Sequence, residues 1–168
     1  MKPFDRLLFG TAGTPHAAKK AGSVEAMSTL ARIGLDAMEL EYVRGSFPAE
    51  DTARKISSAA QDAGIRLTAH GPYYINLNAQ ETEKLEASRR RILTTARIGG
   101  ISGAESVTFH AGFYMKQPAE DVNKRIANEL CALVKEAGTF DTPVDIMPEV
   151  TGKESQVGSL ELILEYAS

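Results

Sequence analysis

The sequence predicts an α/β fold in which short parallel strands alternate with longer helices. Three observations carry that prediction. Short apolar runs recur along the chain, each followed by a longer segment whose apolar residues return every three or four positions. Glycine or proline stands at most of the boundaries between the two. Within the runs, apolar and polar residues alternate, as they do on a pleated strand with two unlike faces. Five such units in a row favour parallel strands joined by right-handed crossovers. They fit either an open doubly wound sheet or the first part of an eight-stranded barrel.

The first run is "RLLFG" (6–10), followed by a loop "TAGTP". A helix is expected over 23–33, with Ser23 as its N-cap and Gly34 as its end. The second run, "DAMELEYV" (36–43), leads past Pro48 into a helix over 49–63 that stops at Gly64. The third, "IRLTAH" (65–70), precedes a long helix over 80–101 that ends among Gly99, Gly100 and Gly103. The fourth, "ESVTFH" (105–110), precedes a helix over 119–137 that ends at Gly138. The fifth, "VDIMPEV" (144–150), is followed by a last helix over 158–167. No linker or composition break divides these units, so residues 1–168 are expected to form a single domain.

Composition excludes some function classes. The net charge of −3 offers no global basic surface for nucleic acid or anionic membrane, although a local basic groove is compatible with it. A single cysteine, Cys131, rules out an internal disulfide framework and suits a reducing compartment. Its neighbours Leu130, Leu133 and Val134 suggest a core position. No apolar run reaches the length of a membrane span, and the N-terminal apolar stretch is too short for a signal peptide. The expected location is therefore cytoplasmic. "GTAGTP" follows a strand but matches neither a dinucleotide-binding nor a Walker-type glycine pattern.

The ends of the third, fourth and fifth runs carry His70, His110 and Glu149, at separations of 40 and 39 residues. That is one strand-helix unit each time. In each run the side chain in question lies on the face opposite the more apolar one: His70 with Arg66 and Thr68, His110 with Ser106 and Thr108, Glu149 with Asp145 and Met147. On neighbouring strands the three would converge at the C-terminal end of the sheet, where parallel α/β proteins hold their active sites. Two imidazoles and a carboxylate on rigid supports suit Zn²⁺ or a similar divalent ion. Any one of the three is as readily an ordinary hydrogen-bonding side chain; the matched positions give the set its weight.

Further candidates line the same end. Glu39 and Glu41 share a face of the second strand, and Glu41 is near its end. Arg44, in the following loop, suits an anionic substrate. Tyr73 and Asn76 sit in the loop after His70, where an aromatic side chain can stack on a sugar or base. His16 follows Pro15 in a polar loop and is either solvated or at the mouth of the site. Arg89, Arg90 and Arg91, among Glu81, Glu83 and Glu86, are expected to form a solvated, salt-bridged helix surface.

In order and spacing, "AHGPYYINL", "VTFHAG" and "PEVTGKESQVGSLE" resemble the motifs of the endonuclease IV-like apurinic/apyrimidinic endonuclease family, part of the xylose isomerase-like TIM barrel superfamily. The resemblance covers roughly residues 6–168. It implies a TIM-barrel-type (βα) repeat, about five βα units of an eight-unit barrel, and an apparently truncated chain that is the N-terminal portion of the whole. It implies a zinc-dependent phosphodiesterase that cleaves duplex DNA 5′ to abasic sites, with up to three zinc ions in the complete family and Mn²⁺ as an alternative metal. It assigns His70, His110 and Glu149 as metal ligands, Glu149 also as the catalytic group that bridges to a further ion, and Tyr73 as a DNA contact. The family's later ligands come from strands beyond the fifth, and the loop "VRGSFPAE" is short for an enzyme that inserts side chains into DNA. Two other readings stand beside this one. A sugar isomerase or epimerase on the same barrel type would use Glu41 together with Glu149. An inactive half-barrel would form a homodimer through its open strand edges.

Overall fold

The structure is a computed structural model that describes residues 6–18 and 22–167. Its main element is a five-stranded sheet, all parallel, in the order β1-β2-β3-β4-β6. These strands are β1 (Gly10–Ala12), β2 (Ala37–Glu41), β3 (Arg66–His70), β4 (Ala104–Phe109) and β6 (Asp145–Pro148). Helices α1 (Ser23–Arg32), α2 (Glu50–Ala63), α3 (Thr82–Ile101) and α4 (Ala119–Ala137) connect them, and α5 (Leu160–Tyr166) follows β6. A second, two-stranded antiparallel sheet pairs β5 (Gly112–Phe113) with β7 (Gln156–Val157). Among the described residues, this is a partial (βα) barrel with a sequential strand order.

The strand alternation decides the two faces. Met38, Leu40, Leu67, Ala69, Val107 and Phe109 are buried and form one core with Met27 and Leu30 of α1, Ile56 of α2, Ile92 and Ala96 of α3, and Ile126 and Leu133 of α4. Arg66, Thr68, His70 and Thr108, on the other face, remain half-buried. The apolar face is therefore the one that meets the helices, as the alternation predicts.

Several boundaries differ from the sequence reading. The first strand is not "RLLFG" but Gly10–Ala12, which starts at the last residue of that run and continues into the expected loop. Leu7 and Phe9 are 73% and 61% exposed on this edge. Pairing starts only where the Phe9 carbonyl accepts from Asp36 and Ala37 of the second unit. The N-cap of α1 is Gly22 and not Ser23, with no side-chain cap bond. In α5 the cap is Ser159, whose hydroxyl accepts from the Leu162 amide. Cys131 is exposed rather than buried. The inward stripe of α4 is Val122, Ile126, Leu130, Leu133 and Ala137, and Cys131 is one residue off it, rotated by about 100°. Arg89 is not merely solvated: its guanidinium reaches Glu129 at 2.5 Å and Glu136 at 3.5 Å on α4, besides Glu86 on its own helix.

The small β5·β7 sheet has no counterpart in the sequence reading. At two residues per strand it is too short for any periodicity. It closes over the β3–α3 loop, where Asn76 Oδ1 accepts from the amides of Asn78 and Phe113. A Cβ at Gly112 would stand 2.6 Å from that Asn76 oxygen, so the close crossing requires a glycine.

Candidate metal centre

His70 is the last residue of β3, whereas His110 and Glu149 are the first residues beyond β4 and β6. The even spacing in sequence does not mean one level in the sheet. His70 pairs in register with Thr108, so His110 stands two residues further along on the same face. The register between Leu67 and Ala69 slips against β4, where Ala104 and then Val107 oppose them. That bulge absorbs one residue of β4 and re-aims the residues after it. Phe109 pairs with Pro148, and the Glu149 amide donates to the Phe109 carbonyl, which sets Glu149 beside His110.

The outcome is convergence. One ligand atom from each of His70, His110 and Glu149 lies within 4.8 Å of the others. His70 Nε2 is 3.1 Å and His110 Nδ1 3.5 Å from the same oxygen, Glu149 Oε2. The two imidazole rings stand nearly edge to face, 5.9 Å between centroids. Side-chain exposure is 12% for His70, 29% for His110 and 40% for Glu149, so the cluster is rooted in the sheet and opens to solvent on the carboxylate side.

Proton placement follows from the partners. His70 Nδ1 lies 2.8 Å from the Gly71 carbonyl, which only accepts, so Nδ1 carries the proton. In the neutral ring Nε2 then points a lone pair at the Glu149 carboxylate. Two electron-rich atoms at that distance need a cation between them, a proton or a metal ion. His110 Nδ1 is buried and makes no hydrogen bond. A buried ring nitrogen without a hydrogen-bond partner, beside an imidazole lone pair and a carboxylate oxygen, is what a nitrogen-rich cation site requires. These three residues therefore fit a divalent metal ion.

Around the triad, the other expected residues divide. Glu41 pairs in register with His70. Its carboxylate lies against the β1–α1 loop, where a Cβ at Gly13 (φ +73°) would stand 2.7 Å from Oε2. Glu41, Val43, Arg44, Ser46 and Tyr73 line a cavity of about 480 Å³. The Tyr73 ring is 57% exposed, 6.1 Å from the His70 ring, and its amide donates to the Val43 carbonyl. Tyr73, Glu41 and Arg44 thus share one cavity next to the triad. His16 is exposed in a short 3₁₀ turn (His16–Ala18) and joins neither the triad nor that cavity. Asn76 is occupied within the chain: its oxygen holds two amides and its Nδ2 lies 3.4 Å from Met115 Sδ.

Glu39 is the residue that sequence reasoning passed over in favour of Glu41. It is half-buried on the triad's face of β2. Burial holds its carboxyl above the usual carboxylate range; His70 opposes that, while Glu149 and Glu41 add to it. Its period-two relation to Glu41 was the available signal, and the register supplied the rest.

With a sequential parallel sheet and a His-His-Glu cluster at its C-terminal end on the page, the comparisons give the fold family. The family model of the xylose isomerase-like TIM barrel matches residues 27–168, and the chain belongs to that family. A relative, an uncharacterized protein of Methanocaldococcus jannaschii, is 38% identical over 159 residues, which are 95% of this chain and 56% of the relative. Among solved structures the chain is similar to endonuclease IV from Thermus thermophilus (TM-score 0.70, 19% identity, 95% of this chain and 58% of that one). It is also similar to D-psicose 3-epimerase from Clostridium cellulolyticum (TM-score 0.74, 12% identity, 95% and 60%). An L-ribulose 3-epimerase aligns comparably (TM-score 0.72, 14% identity, 97% and 58%). At these identities the structural likenesses establish the fold alone. The chain spans a little over half the length of the curated relative it matches. No helix among the described residues is long and apolar enough to cross a membrane.

Proposed function

We propose that this chain contributes the first metal site of a zinc-dependent phosphodiesterase that cleaves duplex DNA 5′ to abasic sites. The observation that carries the proposal is the donor set. Two imidazole nitrogens and one carboxylate oxygen converge within 4.8 Å. Nitrogen-rich sets select zinc, whereas carboxylate-rich sets suit magnesium or manganese. His70, His110 and Glu149 would hold the ion. When bound, it supplies Lewis acidity toward a phosphoryl oxygen and a source of nucleophile near neutral pH.

The remaining tasks belong to the chain. The Gly71 carbonyl fixes the His70 tautomer so that Nε2 faces the site. Tyr73 presents an exposed aromatic surface within reach of a sugar or base. Arg44, at the rim of the same cavity, supplies a cation for a flanking phosphate. Glu41 lines that cavity and is the group that would meet sugar hydroxyls.

The test is nicking of a duplex with one abasic site by the metal-loaded protein. Expected are cleavage on the 5′ side, loss with a chelator, and a fall of at least about 100-fold in His110→Ala. An intact duplex after loading with zinc or manganese would overturn the proposal. One observation favours a second reading, a sugar epimerase. Glu39, with its carboxyl held above the ordinary range beside the triad, is suited to move a proton next to a carbonyl. Deuterium uptake from solvent into a ketose, absent in Glu39→Gln, would select that reading.

A further inference from the structure

A second cavity lies between the β4–α4 and β6–β7 loops. It is an open depression of about 570 Å³ lined by Phe113, Tyr114, Met115, Lys116, Glu154 and Ser155. That volume is in the range of sites that hold a small ligand. The two loops are tied together by the Tyr114 amide, which donates to the Ser155 carbonyl. The cavity is joined to the metal centre through the chain: β5 begins two residues after His110, and Asn76, six residues after His70, forms part of the wall.

Met115 and Lys116 hold φ values of +51° and +59°, the left-handed region that side chains other than glycine rarely occupy. Two consecutive residues held there are strained, and such strain gathers at ligand sites. Lys116 is exposed, and among the described residues its ammonium makes no hydrogen bond or ion pair, so it is available to an anion. Met115 is 50% exposed, with its sulfur positioned by Asn76. A glycine pair would make the same turn without strain, so what distinguishes the pair is the side chains it presents.

We infer that this cavity is a nucleotide subsite flanking the metal centre, in which Lys116 meets a backbone phosphate and Met115 with Tyr114 packs on the neighbouring base or sugar. The inference deepens the phosphodiesterase reading and rests on it. The chemistry is complementary along its length. The cation suits the phosphate, the apolar wall suits a base face, and Glu154 offers an acceptor of the kind that takes a hydrogen from an exocyclic amine.

The experiment is fluorescence-anisotropy binding of a duplex with an abasic-site analogue, at several salt concentrations, on the intact protein. Wild type is compared with Lys116→Ala, Lys116→Gly and Arg32→Ala. The last removes an exposed cation at the far end of α1 and is the control. Loss of one phosphate contact should weaken binding several-fold and lower the salt slope by about 0.9 in both Lys116 variants. Lys116→Gly should also melt a few degrees higher than wild type, because the left-handed turn suits glycine. Weaker binding by a better-folded protein separates a contact from a structural role. An unchanged slope in both Lys116 variants, or an equal drop in Arg32→Ala, overturns the subsite while leaving the phosphodiesterase reading intact. Failure of wild type itself to bind the duplex overturns both.

Discussion

At the scale of single residues, the metal centre depends on what holds its nitrogens. His70 has one ring nitrogen committed to Gly71 and the other aimed at Glu149, so it would meet an ion with its tautomer already chosen. His110 brings a buried nitrogen that the chain leaves without a hydrogen bond. Elemental analysis after zinc loading should therefore find about one ion per triad, lost in both His70→Ala and His110→Ala with the circular dichroism unchanged. Zinc retained by both variants would remove these residues from the site. Glu39 makes a different prediction. Its folded-state pKa is raised, mainly by burial, so the native state holds a proton that the unfolded chain releases. Stability then falls as pH climbs from the unfolded carboxylate value toward the folded one. In metal-free protein, Glu39→Gln should raise the melting midpoint near pH 7, and the gain should vanish below about pH 4, where both states of the wild type are protonated. A gain that persists in acid would mean that Gln is packing better there and that charge is not the cause.

At the scale of elements, α3 and α4 are joined by more than apolar packing. Arg89 is 20% exposed and lies between Glu129 and Glu136 of the neighbouring helix. Arg89→Ala should destabilise by about 1 kcal/mol, by less at high salt, as read from urea midpoints. No salt dependence would mean that packing of the long stem carries the effect. The elements also show what the sequence could reveal. Strands β2, β3, β4 and β6 and helices α2 and α4 were legible because alternation, helical period and glycine stops agree there. The first strand was misplaced because an edge strand is set by its single partner: pairing with β2 starts at Gly10, and Leu7 and Phe9 remain exposed however apolar they are. The triad was legible from strand-end positions, but its geometry was not. The β4 bulge that shifts His110 past His70 has no local signature, and β5 and β7 depend on contacts between distant loops, such as the one between Asn76 and Gly112–Phe113.

At the scale of the whole molecule, the sheet has two edges where a closed barrel has none. Among the described residues β1 pairs only with β2, and β6 only with β4, which leaves unpaired backbone groups on each side, although Pro148 removes one donor from the β6 edge. The side chains there are apolar: Leu7 and Phe9 are 73% and 61% exposed beside β1, and Met147 and Val150 are 40% and 48% exposed at β6. Unpaired parallel edges flanked by such residues favour pairing with another chain, opposed by the exposed charges of Arg6 beside β1 and Asp145 in β6. We propose that the 168-residue chain produced on its own associates through these edges, most simply as a homodimer. Sedimentation should give a mass that rises with concentration above the 18.1 kDa of one chain. Phe9→Lys, which charges one edge and touches neither the core nor the triad, should shift the equilibrium back toward monomer. A mass that stays at one chain at micromolar concentrations and above would show that both edges are protected without a partner. Association that Phe9→Lys leaves unchanged would move the interface away from β1, to the β6 edge or to the outer face of α5, where Leu160 and Leu164 are 56% and 63% exposed.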